Sequence, residues 1–162
     1  MGKYCSQKQI CLKATAGYEL CPKKSEDVVY FTQIADTENL QIPIQKPDVE
    51  SIFDVIHEIK ITETSEILVK KPVGKKVIVG GSLTLGIEYI SKTITQKVHF
   101  AHWNLNFKAL IMKEDDTLLP LDFDLNNYVV HICVEELKMT QVDERTVRYS
   151  YILLIWLQAK IK

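Results

Sequence analysis

Val77-Ile78-Val79-Gly80-Gly81-Ser82-Leu83-Thr84-Leu85-Gly86-Ile87-Glu88-Tyr89-Ile90 is the stretch that decides how this chain folds. Leu83, Leu85, Ile87 and Tyr89 share one parity, and Ser82, Thr84, Gly86 and Glu88 the other. That is the period of a β-strand with one buried face. The Gly80-Gly81 pair in its middle predicts a bulge or a close approach of backbone.

The same signal continues on both sides. Upstream, from Val55, β-branched residues dominate, and Ile59, Ile61, Ile67 and Val69 predict a long or bulged strand ending at the turn Lys71-Pro72-Val73-Gly74-Lys75. Downstream, Thr95 to Phe107 reads as a further strand. Phe100 and Trp103 differ in parity there, which predicts a bend or bulge near Ala101-His102. Strands at Tyr128 to Met139 and Thr146 to Ala159 flank a hairpin turn at Gln141-Val142-Asp143-Glu144. Strand signal opens at Val28-Val29-Tyr30-Phe31-Thr32. Pro43 and Pro47 then exclude a central strand, and Asp48 is placed to cap a short helical turn through Ile52 and Phe53. No segment keeps a helical period. The expected fold is all-β: an antiparallel β-sandwich over residues 28–162, with a short helical turn and an extended N-terminal arm over residues 1–27.

The final strand departs from the rule of one buried face. In Tyr151-Ile152-Leu153-Leu154-Ile155-Trp156-Leu157 both parities are apolar. A loop or the arm of the same chain would cover the second face, or another subunit would bury Ile152, Leu154 and Trp156, which makes those three the candidate assembly interface.

Composition narrows the classes of function. A chain of 162 residues is long enough for one domain with its own core. With 20 basic and 21 acidic residues interspersed, it lacks the basic patch that nucleic-acid binders use on phosphates. Tyr151 to Leu157, the longest apolar run, is too short for a membrane span. The polar start Met1-Gly2-Lys3-Tyr4-Cys5-Ser6 is not a signal peptide, although it fits the loose pattern for acylation of Gly2.

Cys5, Cys11 and Cys21 lie in the arm and Cys133 in the body, with no C-x-x-C pair among them. The first reading is inert reduced thiols and the sharper one cross-linking between subunits, for which all four are candidates. His99 and His102 would fall on opposite faces of a strand, so a shared metal is disfavoured. His131 and Cys133 share a face, as a buried inert pair or half of a zinc site. Asp122 and Asp124 alternate beside a loop, where a solvated face is the simpler reading. Gly74-Lys75-Lys76 lacks a phosphate-loop pattern, and no serine sits in a nucleophile elbow. No catalytic residue, metal or cofactor is expected.

Two stretches carry a resemblance. Ile42-Pro43-Ile44-Gln45-Lys46-Pro47-Asp48-Val49-Glu50-Ser51-Ile52 with Ile59 to Ile67 is one; Lys76 to Ile90 with Val98 to Trp103 is the other. Together they resemble the SPOCS domain of endospore-forming bacteria, with its P-D-x-x-x-I segment and its K-V-x-V-x-G-x-L strand ending in Tyr, over about residues 28 to 160. The resemblance implies a spore-envelope protein of coat or exosporium, made in the mother cell without a signal peptide. Its expected partners are copies of itself and other spore-envelope proteins. The single copy and the cysteine arm, with no peptidoglycan-binding module, favour a self-assembling, disulfide-reinforced array or filament. The rivals are a non-enzymatic coat-assembly adaptor and a membrane-tethered or ligand-binding module.

Overall fold

The computed structural model describes residues 30–113 and 117–160, together with the backbone of residues 9–12. Among the described residues seven strands form two antiparallel sheets: β1 (Gln9–Leu12), β2 (Tyr30–Gln41), β3 (Val49–Lys70), β4 (Val73–Ser91), β5 (Val98–Ile111), β6 (Tyr128–Gln141) and β7 (Thr146–Ala159). One sheet has the order β1-β6-β7-β2 and the other β3-β4-β5. The all-β sandwich expected from the sequence is what the chain adopts, and β1 adds the segment Gln9–Leu12 to the edge of β6.

The core lies between the two central strands. From β4, Val77, Val79, Leu83, Leu85, Ile87 and Tyr89 point inward, and from β7 Val147, Tyr149, Leu153, Ile155 and Leu157 meet them. Both sets are spaced by two along their strands, so one parity of each strand makes the sandwich interior. On the side of β2 and β5 the two sheets are linked through a bridge from Phe31 to Met112.

Gly80 and Gly81 stand opposite a register shift in β3 between Ile61 and Glu63. The long strand there is bulged and Gly81 admits its backbone at Lys60 O, so both forms of the expectation are met. Two expectations are corrected. Asp48 starts no helical turn: Val49 opens β3, because its N–H goes to Glu144 O at 2.9 Å and its neighbours pair with β4. The only 3-10 turn among the described residues is Leu125–Asn127, where Asp124 accepts from Asn126 N–H at 2.9 Å. Nor is β5 bulged at Ala101-His102, since its register with β4 is continuous from Val98 to Ile111. Phe100 lies on the outer face of the sheet and Trp103 on the inner, which is why their parities differ.

The loop Ile42–Asp48 crosses from one sheet to the other, and its prolines deny it a ladder. Arg145 supplies the missing donors. Its guanidinium reaches Lys46 O (2.6 Å), Ile42 O (3.0 Å), Pro43 O (3.0 Å) and Asp48 Oδ1 (3.2 Å). Tyr89 closes the loop from the core side by donating to Pro47 O at 2.9 Å.

Buried phenols make the fold sensitive to alkali. Burial raises Tyr89, Tyr149 and Tyr151 above the usual value, Tyr149 most, with further help from its bond to Asp36 Oδ2 at 2.8 Å. Above about pH 10 the unfolded chain releases phenolic protons that the folded chain retains, so stability is whole below that pH and falls above it. Tyr149→Phe should flatten this fall by up to about 1.4 kcal/mol per pH unit. Urea midpoints of parent and variant at pH 9, 10 and 11 measure it, and parallel curves would refute the assignment.

Candidate assembly surfaces

β6 and β7 turn one face to the core and the other outward. On the outward face Trp156 stands opposite His131 and Phe31, Leu154 opposite Cys133 and Gln33, and Ile152 opposite Glu136 and Ala35. The structure therefore brings Cys133 together with Ile152, Leu154 and Trp156, although the sequence reading drew them from two strands for separate reasons. The His131 ring stacks on Trp156 at 5.2 Å, and its Nε2 lies 2.7 Å from Gln158 Oε1.

This face is not bare. Trp156 is 5% exposed and Cys133 2%, yet neither belongs to the interior core cluster; Ile152 and Leu154 are half-buried. Cys133 is disulfide-bonded. That bond removes Cys133 from the half zinc site considered with His131. Of the other cysteines, Cys5 and Cys21 lie outside the described residues, as does Gly2, and Cys11 is placed by its backbone alone, opposite Lys138.

The outer face of the three-stranded sheet is a second surface, which the sequence reading missed. Ile56 (44% exposed) and His102 flank Gly86 on either side, and the ring of Phe100 (40% exposed) lies over Gly86. Val98 (61% exposed) extends this apolar strip to the start of β5. The signal was present in the parity of Phe100, which differs from that of Trp103 and sets it on the face of Ser82, Thr84, Gly86 and Glu88.

The remaining chemical candidates do not converge. His99 stacks on Tyr89 on the inner side of β5 while His102 stacks on Phe100 outside. Asp122 is exposed and Asp124 is spent as a helix cap. Lys75 pairs with Glu66 at 3.1 Å and donates to Phe123 O at 2.7 Å. Among the described residues no group of three potential ligands is placed to hold a metal ion. No described helix is long and apolar enough to cross a membrane.

The family model "SipL, SPOCS domain" matches residues 48–135, more than half of the chain. The protein belongs to the SPOCS-domain family, and that membership gives it a spore-related role. The match spans β3, β4, β5 and the first half of β6, narrower than the sequence resemblance suggested. Searches of curated proteins and of solved structures returned no match. The motif residues meet in space: Pro47 of the P-D segment receives the hydroxyl of Tyr89, the tyrosine that ends the motif strand. In this chain those residues hold the scaffold together.

Proposed function

We propose that this protein is a non-catalytic structural subunit of the bacterial endospore's outer layer, coat or exosporium, that assembles with copies of itself into an ordered array or filament reinforced by disulfides. The observation that carries the reading is Cys133 set among Ile152, Leu154 and Trp156 on the outer sheet face, in a chain whose other three cysteines precede β2. An apolar face next to a sulfur that forms disulfides gives both a packing surface and a covalent lock. The family supports the spore setting.

Negative-stain microscopy of concentrated protein, with and without reductant, tests it beside a non-reducing gel. Arrays or filaments with a reductant-sensitive ladder are expected. Dispersed monomer under both conditions would end the self-assembly reading.

The apolar strip of Ile56, Phe100 and Val98 favours a second reading, an adaptor that binds another spore protein through the outer face of the three-stranded sheet. It predicts a discrete monomer or dimer whose capture of a partner is lost in Phe100→Glu.

A further inference from the structure

β1 and β2 lie at opposite edges of the four-stranded sheet, although only residues 13–29 separate them in sequence. Leu12 pairs with Leu137, while Tyr30 pairs with Leu157, which stands opposite Val130. The ends of the connection are therefore three strand spacings apart, about 14 Å, and about 23 Å apart along β6. That makes a span of roughly 27 Å, whereas the intervening residues reach about 60 Å when extended. The tether is over twice as long as the path within one chain requires. It does not force β1 onto its own β6.

The β6 edge is specific about what it accepts. β1 pairs with Leu137 to Thr140, and a bulge between Val134 and Glu136 lies just beyond that pairing. Past the bulge comes the disulfide-bonded Cys133; the chain's other cysteines, Cys5, Cys11 and Cys21, all precede β2. Hydrogen bonds and a sulfur bond thus meet along one strand.

We propose that β6 from Cys133 to Thr140, with the adjoining Leu154 and Trp156, is the seat for the N-terminal arm of a second copy of this chain. Gln9–Leu12 of one subunit adds to β6 of the next in the register it shows here, and a disulfide at Cys133 locks it. This rests on the self-assembly reading and names its joint. Exchange of identical elements conserves every contact, so closed monomer and linked chain differ little in bond energy and concentration selects between them.

The covalent step balances without an oxidant. A thiolate of the incoming arm attacks the Cys133 sulfur, a new S–S bond forms, the old one breaks, and the displaced sulfur leaves as a thiolate able to attack the next subunit. One low-molecular-weight thiol starts the series.

Two full-length variants test it. The acceptor carries Cys5→Ser, Cys11→Ser and Cys21→Ser and keeps Cys133; the isotopically labelled donor carries Cys133→Ser. Mixed in a glutathione redox buffer, they should give a reducible heterodimer in which the unlabelled Cys133 peptide is joined to a labelled arm peptide. Adding Gln9→Pro and Ile10→Pro to the donor removes both neighbouring N–H groups, whichever of them faces β6, and should cut the yield about tenfold. Absence of heterodimer, or a yield the prolines leave unchanged, overturns the seat. Wild-type arrays with no heterodimer would sink the seat and leave self-assembly standing. Heterodimer without arrays would keep the seat and sink the array.

Discussion

The Gly81→Ala protein is expected to lose about 3 kcal/mol of stability, the upper end of what overpacking costs. A methyl group there would sit 2.2 Å from Lys60 O and 2.6 Å from Phe107 Cζ. The first contact is the decisive one. Lys60 is paired in the bulged part of β3, so its carbonyl cannot retreat without breaking the β3–β4 ladder. Phe107 is buried over the glycine and cannot swing to solvent either. Neither Gly81 nor Gly86 has a positive φ, so the whole cost is steric. Gly86→Ala makes the paired control: its nearest contact is the end of the Phe100 ring at 2.7 Å, and that ring is partly exposed and able to turn away. Gly86→Ala should cost less than about 1 kcal/mol, part of it offset by a stiffer unfolded chain. Thermal melts should separate the two variants by several degrees, and a Gly81→Ala protein as stable as Gly86→Ala would refute the packing described.

Arg145→Ala should be nearly as damaging, at about 2–3 kcal/mol, because hydrogen bonds from a charged donor are worth more than neutral ones. The guanidinium binds three carbonyls of the Ile42–Asp48 loop and the Asp48 carboxylate together. Around it, Ile42 N–H donates to Arg145 O at 2.8 Å and Lys92 N–H to Asp48 O at 2.9 Å. Alanine leaves acceptors that water reaches only in part, since Arg145 itself is half-buried. Lysine keeps the charge but not the fork, so Arg145→Lys should recover less than half of the loss. Urea unfolding measures all three proteins; a lysine variant as stable as the parent would mean that charge alone matters. As this loop joins the two sheets, its amides should also exchange faster in Arg145→Ala while those of β4 stay protected.

How much of this was legible differs from element to element. β7 was readable from end to end, because both of its parities are apolar and turn residues bound it. β4 was readable for a different reason, the strict alternation of apolar with small or polar residues, and so was its glycine pair. The helical turn at Asp48 was misread because a capping residue beside apolar neighbours is a local signal. The backbone there is claimed by Glu144 and β4, partners distant in sequence that a local signal cannot weigh. Phe100 was misread because alternation was taken to mean burial, whereas its ring packs on the outside over a glycine of the next strand.

The amino-acid sequence alone determined the class of fold, the parity of each central strand and the family. Each of these depends on residues close in the chain, through the two-residue period of a strand and the chemistry of turns. Tertiary structure decided the rest. It set Cys133 beside Ile152, Leu154 and Trp156, turned Arg145 onto a loop about a hundred residues upstream, and placed Gln9–Leu12 on β6, at the far edge from β2. Those contacts follow from strand order, and strand order is fixed by which faces can bury one another, a property of the whole chain.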